Sequence, residues 1–120
     1  MIVLDASVLI AALTPADGHH RAAHELLSPA IIDNEGLMIN PVTLAEVLVL
    51  PTREGRAAEV RDLVLIELGV IEVPFPQQAA WLLARLRATG VKMPDCCVLM
   101  TAMETGATLA SFDDRLRRAA

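Results

Sequence analysis

Hydrophobic positions along the chain fall into short, nearly unbroken runs. Longer stretches separate them, in which apolar and polar residues recur at helical spacing. The runs IVL (2–4), LMI (37–39), VIEV (70–73) and ATLAS (107–111) predict strands. Near-continuity, rather than strict alternation, is what a strand covered on both faces requires. SVLIAAL predicts an apolar helix ending before Pro15, and His19 to Leu27 an amphipathic one with Ala23, Leu26 and Leu27 on one face. Asn40-Pro41 then reads as a helix start, an Asn cap with Pro at the first helical position. That helix carries TLAEVLVL and stops at Pro51-Thr52. A further helix is predicted from Glu54 to Leu68, closed by Gly69. PQQAAWLLARLRAT gives a strong amphipathic helix ended by Gly90, and Pro94 opens DCCVLMTAMET, which runs to Gly106. FDDRLRRAA forms a short basic helix at the end.

Strands alternating with helices predict a single domain, residues 1–120, of α/β class with three layers and a mainly parallel sheet. No linker, repeat or low-complexity tract divides it. A chain of 120 residues is long enough to bury most of the surface its unfolded state exposes. Sheets of this kind place their sites at the carboxyl ends of the strands. Asp5 directly follows the first predicted strand, and Asp113 lies just beyond the fourth.

Composition narrows the function classes. The hydrophobic fraction is 54% and the mean hydropathy +0.48, yet no apolar run reaches the roughly 18 residues that a membrane span needs. The start lacks the basic stretch of a signal peptide. A cytoplasmic protein with no membrane association is the expectation. Formal charge is 10 − 15 = −5, which argues against a protein that coats nucleic acid. Apart from Lys92 the positive charge is all arginine, clustered as Arg53/Arg56/Arg61, Arg85/Arg87 and Arg115/Arg117/Arg118. Phe75, Trp81 and Phe112 are the only aromatic residues, too few for base stacking to be a main binding device. Adjacent Cys96 and Cys97 suit neither a disulfide framework nor a C-x-x-C site, and they read as small core residues in a reducing cytosol. Met93, Met100 and Met103 read as core filling.

The chemistry lies in the acids. Asp5 is the only charge in the first sixteen residues, and no Lys or Arg precedes Arg21. An ionised carboxylate in such apolar company costs several kcal/mol, on the order of what a lost buried ion pair costs, unless something compensates it. Glu46 stands inside VTLAEVLVL, and Asp95 stands in the first turn of the apolar MPDCCVLMTAM helix. Each has a bland reading: Asp5, Asp95 and Asp113 as acids at helix starts, Glu46 on the one wet edge of its helix. Together they point further. If the strand ends bring Asp5, Asp95 and Asp113 together with Glu46 nearby, their mutual repulsion calls for a divalent cation. Oxygen ligands without His or Cys select Mg²⁺ or Mn²⁺ over zinc. Ser7, Thr43 and Ser111 can then supply hydrogen bonds that orient the carboxylates.

LDASVLIA, TLAEVL, MPDCCVLMTA and LASFDDRL occur in this order and at compatible spacing over essentially the whole chain. In these motifs the sequence resembles the PIN-domain ribonucleases, and more narrowly the VapC-type toxins of toxin–antitoxin pairs. Asp5, Glu46, Asp95 and Asp113 match the acidic quartet of that family by position, and Ser7 matches the small hydroxyl residue after its first aspartate. The resemblance implies a compact α/β/α sandwich with a mainly parallel sheet of four or five strands. It also implies Mg²⁺- or Mn²⁺-dependent endonucleolytic cleavage of RNA, a homodimer and a protein antitoxin. Of Asp113 and Asp114, motif position favours Asp113. Arg56, Arg115, Arg117 and Arg118 are the candidates for RNA phosphates.

Two rivals remain on the sequence. A phosphorylation receiver needs an acidic pair after the first strand and a mid-chain aspartate at a strand end; here the early acid is single and the mid-chain acid is Glu46 on a helix. A non-catalytic PIN-like interaction module would keep the fold and bind a partner through the helices at 18–28 or 54–68. His20 and His24 share a helical face, but two ligands alone make a poor metal site, and a solvated or substrate-facing role is the expectation.

Overall fold

In the computed structural model, which describes residues Met1–Ala120, the apolar runs become four strands: β1 Ile2–Leu4, β2 Leu37–Ile39, β3 Ile71–Glu72 and β4 Thr108–Ala110. They pair in the order β3-β2-β1-β4, all parallel. Side chains of successive strand residues point to opposite faces, and the two faces bury two separate clusters. Leu4, Leu37 and Ile39 belong to the larger one, together with Val8, Leu9, Ala23, Leu27, Leu44, Val47, Val60 and Val64. Val3 and Met38 join Val98, Leu99 and Leu116 in the smaller one. The sheet is the middle layer of an α/β/α sandwich.

The first layer comprises α1 Ala6–Leu13, α2 His20–Ile32, α3 Pro41–Arg53 and α4 Ala57–Asp62. The opposite one comprises α5 Ala79–Ala88, α6 Met93–Thr105 and α7 Asp114–Ala119. Asn40 caps α3 as its sequence suggests, its side chain accepting the Thr43 N–H at 2.9 Å. Gly106, at φ +68°, ends α6 in the left-handed conformation that only glycine adopts without strain.

Several boundaries differ from the pattern for local reasons. α2 runs on through Pro29 to Ile32, and α3 through Pro51 to Arg53. Gly55, at φ +72°, then turns the chain, so the next helix begins at Ala57 rather than at Glu54. α4 passes into a π-helical turn over Leu63–Glu67, where the Leu68 N–H donates to the Leu63 carbonyl at 2.9 Å. Of VIEV only Ile71 and Glu72 pair with β2, at the exposed edge of the sheet. The helix expected from Pro76 starts at Ala79, packs against α6 and buries no residue fully, so Trp81 stays exposed. Of the three methionines read as core, only Met100 is buried; Met93 and Met103 face outward. No helix is long and apolar enough to cross a membrane.

Strand order sets the functional geography. The chain winds from β1 outward through β2 to β3, then crosses back to lay β4 on the other side of β1. The winding direction therefore reverses between β1 and β4. In open parallel sheets that switch point, at the carboxyl ends of the two strands, is where a crevice opens.

Candidate metal centre at the switch point

Asp5 leaves β1 at that point, and its backbone N–H donates to the Ala110 carbonyl at the end of β4 at 3.0 Å. It occupies the cap position of α1 without capping it; its side chain turns elsewhere. Oδ2 accepts the Ser7 hydroxyl at 2.8 Å and the Ser111 hydroxyl at 2.9 Å. Each serine also accepts a backbone N–H, that of Phe112 on Ser7 Oγ at 3.2 Å and that of Asp113 on Ser111 Oγ at 2.9 Å. Two hydroxyls, one on each side of the switch point, thus fix a carboxylate that is only 9% exposed and tie it to the segment carrying Asp113. No cation pairs with it; the ion pairs of the chain involve other acids.

Glu46 and Asp95 approach from α3 and α6, which pack against each other. Glu46 is half-buried, and its carboxyl is pushed above its ordinary value by burial first, then by the charges of Asp5 and Asp95. Asp95 lies in the first turn of α6, and its carboxyl is raised by burial, then by Asp113 and by Asp5; Lys92 opposes the rise. Charge from Asp5 thus reaches both Glu46 and Asp95, and charge from Asp113 reaches Asp95, although the four acids come from four distant segments. Asp113 uses Oδ1 to cap α7, accepting the Arg115 N–H at 2.8 Å and the Leu116 N–H at 3.4 Å. Asp114 is turned to Arg117 in an exposed ion pair, so the carboxylate that acts on Asp95 is Asp113.

These carboxylates do not form a ready-made cage, since no group of three or more acid, His or Cys side chains converges tightly enough to enclose an ion. The donor set nonetheless fits a hard cation. Mg²⁺ keeps several of its waters and takes only one or two direct carboxylates, the others acting through water. Asp5, with Oδ2 held by two hydroxyls and Oδ1 without a protein donor, is a pre-oriented oxygen ligand. Glu46 and Asp95, whose proton affinity is raised by burial first and then by neighbouring acids, would be relieved by a positive charge nearby.

The expected supporting residues divide. Ser7 and Ser111 touch Asp5 directly. Thr43 does not serve as expected: it is fully buried, and its hydroxyl has no hydrogen-bond partner. It sits in the first turn of α3, and its backbone N–H is engaged by the Asn40 cap. Among the arginines, Arg56 lines a cleft of about 180 Å³ with Glu46, while pairing with Glu59 at 3.5 Å. Arg115 lines another, of about 250 Å³, with Lys92, Asp95 and Asp113. Arg117 is committed to Asp114, and Arg118 is exposed without an ion pair.

Lys92, three positions before Asp95, was read in the sequence only as the lone lysine. His19 was missed as well. Its ring stacks on Phe112, next to Asp113, with centroids 4.7 Å apart and planes 12° from parallel. His20 and His24 meet edge-on at 4.5 Å, and His20 Nδ1 lies 2.7 Å from the Ala11 carbonyl, tying α2 to α1. Burial raises both cysteine thiols, most directly at Cys96 and with help from Glu46 at Cys97, so neither is an activated nucleophile.

Known proteins share this arrangement of strands and helices. The toxin VapC20 of Mycobacterium tuberculosis, described as cleaving the sarcin–ricin loop, superposes with a TM-score of 0.82 at 17% identity, covering 100% of this chain and 95% of that one. VapBC2 of Rickettsia felis, solved bound to a DNA fragment from its promoter, gives a TM-score of 0.72 at 19% identity, covering 99% and 93%. At such identities the likeness speaks for the fold. No curated protein matches the sequence. The PIN domain family matches residues 2–120, and a match over nearly the entire length, on a sheet wound in this order, places the chain in the PIN domain family.

Proposed function

We propose that this protein is a metal-dependent endoribonuclease, the toxin of a toxin–antitoxin pair, hydrolysing RNA phosphodiester bonds at the β1–β4 switch point. The observation that carries the reading is that Asp5 and Asp95 act on Glu46, and Asp113 and Asp5 act on Asp95, while no protein cation pairs with Asp5. Acids in that arrangement cost stability, and a divalent ion relieves the cost. Mg²⁺ or Mn²⁺ bound there supplies Lewis acidity toward a phosphate and makes hydroxide available near neutral pH. The chain's own part is placement. Ser7 and Ser111 hold Asp5 in one orientation; Asp113, fixed by its cap on α7, and Asp95 hold the opposite wall. Glu46, presented by α3 beside Asp5 and Asp95, is the carboxylate suited to take the proton of the attacking water. Arg56 and Arg115, each in a cleft with one of the acids, position backbone phosphates, with Arg118 and the paired Arg117 at the periphery.

The two similar structures, a toxin and a toxin–antitoxin complex, support a protein antitoxin as partner. Ile31, Ile32, Leu50 and Ile66 stand exposed on the first helical layer, an apolar surface suited to a second copy of the chain or to that antitoxin. Two free buried cysteines accord with a cytoplasmic protein. The test is Asp95→Asn. It abolishes Mn²⁺-dependent cleavage of RNA while the melting temperature in the absence of metal stays level or rises; a fully active variant refutes the assignment.

A further inference from the structure

An acidic site that must hold a polyanion faces a physical difficulty, because the charges that attract the metal repel the strand. One contact beside the cluster escapes it. The His19 ring lies parallel to Phe112, and the stack covers one of its faces. The side chain is nonetheless 63% exposed, so the other face is open to solvent. The segment that carries the ring is anchored as well. Its backbone N–H donates to Asp17 Oδ1 at 2.8 Å, and Nδ1 stands 3.9 Å from the same oxygen. Phe112 packs against the larger core cluster, and its own N–H is bound by Ser7 Oγ, whose hydroxyl donates to Asp5. A short chain of contacts, from Asp5 through Ser7 and Phe112 to His19, therefore fixes an open aromatic face at the rim of the carboxylate cluster.

We infer that His19, backed by Phe112, is a subsite for one unpaired nucleobase next to the scissile phosphate. This rests on the ribonuclease reading and adds a residue and a substrate class to it. Unstacked RNA bases are commonly received on Phe, Tyr, Trp or His rings, and such stacking tolerates any base because each has a π-face. Stacking does not depend on the charge of the strand, so it holds the strand where phosphate contacts are weakened by the acids. A ring already stacked on Phe112 loses little freedom when a base arrives. A duplex cannot present a base in this way, so the subsite selects single-stranded, looped or bulged RNA.

The experiment compares wild type, His19→Ala and His19→Phe in equilibrium binding of a mixed-sequence single-stranded oligoribonucleotide. Divalent metal is omitted, so affinity is read apart from cutting. A set of the same strand with one abasic nucleotide moved stepwise accompanies it. His19→Ala weakens binding about tenfold, as the loss of one stacked base does, and His19→Phe stays within about twofold because the π-face is kept. At one abasic position wild type loses that same factor and His19→Ala loses nothing more. The inference is overturned if wild type does not bind the strand, if His19→Ala binds like wild type, if the Phe variant fails as badly as the Ala variant, or if no abasic position separates them. Should the binding pattern appear while Mn²⁺ produces no cleavage, the base subsite stands and the nuclease reading falls. Should cleavage persist with His19→Ala binding unchanged, the subsite alone falls.

Discussion

Ser111→Ala tests how Asp5 is held. The Ser111 hydroxyl is 5% exposed, donates to Asp5 Oδ2 at 2.9 Å and accepts the Asp113 N–H at 2.9 Å. A hydrogen bond to a charged acceptor contributes about 1.5–3 kcal/mol net, and one between neutral groups about 1 kcal/mol. Asp113 is exposed, so its freed N–H can turn to water and its loss counts for less. Asp5 keeps only Ser7 as a side-chain donor, in a pocket that admits little solvent. Removal of the hydroxyl therefore destabilises the fold by about 2–3 kcal/mol. For 120 residues the unfolding entropy near the midpoint is about 0.25 kcal/mol per degree, which makes the expected fall in melting temperature about 8–12 °C. Differential scanning calorimetry without metal gives the number directly. Ser111→Ala combined with Asp5→Asn closes a double-mutant cycle with an expected coupling of about 1–2 kcal/mol. A fall of less than about 3 °C in the single variant, equivalent to under 1 kcal/mol, would refute the claim that this hydroxyl holds Asp5.

Other consequences follow from the same geometry. Folded-state carboxyls of Glu46 and Asp95 lie above their ordinary values, so the stability they contribute is present at pH below the ordinary carboxylate range and is lost as pH rises through the raised values. Chemical denaturation across that range shows wild type weakening with rising pH more steeply than Glu46→Gln/Asp95→Asn, and an equal slope in both contradicts the crowding. Glu46→Gln lowers the cleavage rate by about 10²-fold or more, as loss of a general base does, while its binding of RNA without metal is kept; unchanged rates remove Glu46 from the chemistry. Charge reversal of Arg115 weakens RNA binding and flattens its salt dependence by about one ion's worth, read from affinities over a salt series, whereas Arg117→Glu, already committed to Asp114, changes the slope less. Equal effects of the two reject the cleft assignment.

Much of this was readable from residue order, for identifiable reasons. Runs such as IVL and LMI leave no face for water, so a doubly covered parallel strand is the economical solution, and an acid directly after such a strand falls at a sheet edge. Asp5, Glu46 and Asp95 stood out because each interrupts an apolar stretch; Ser7 and Ser111 were found by their nearness to those acids. What escaped depended on geometry that spacing does not encode. Thr43 lies three positions before Glu46 in the sequence, yet it is fully buried and its hydroxyl bonds to none of the acids. His19 and Phe112 are 93 positions apart, and only the return of β4 beside β1 stacks them. Lys92 became significant as the residue that precedes α6, in one cleft with Asp95 and Asp113. Trp81 shows the limit of amphipathic pattern: α5 has the periodicity of a buried helix but packs chiefly on α6 and leaves Trp81 exposed.

Isothermal titration of the protein with Mn²⁺, beside Asp5→Asn and Asp95→Asn, bears most directly on the metal centre. The account predicts saturable uptake by wild type, released as pH falls and the acids protonate, and its loss or marked weakening in both variants. Wild-type protein that takes up no Mn²⁺, or variants that take it up just as well, would contradict the account at its root.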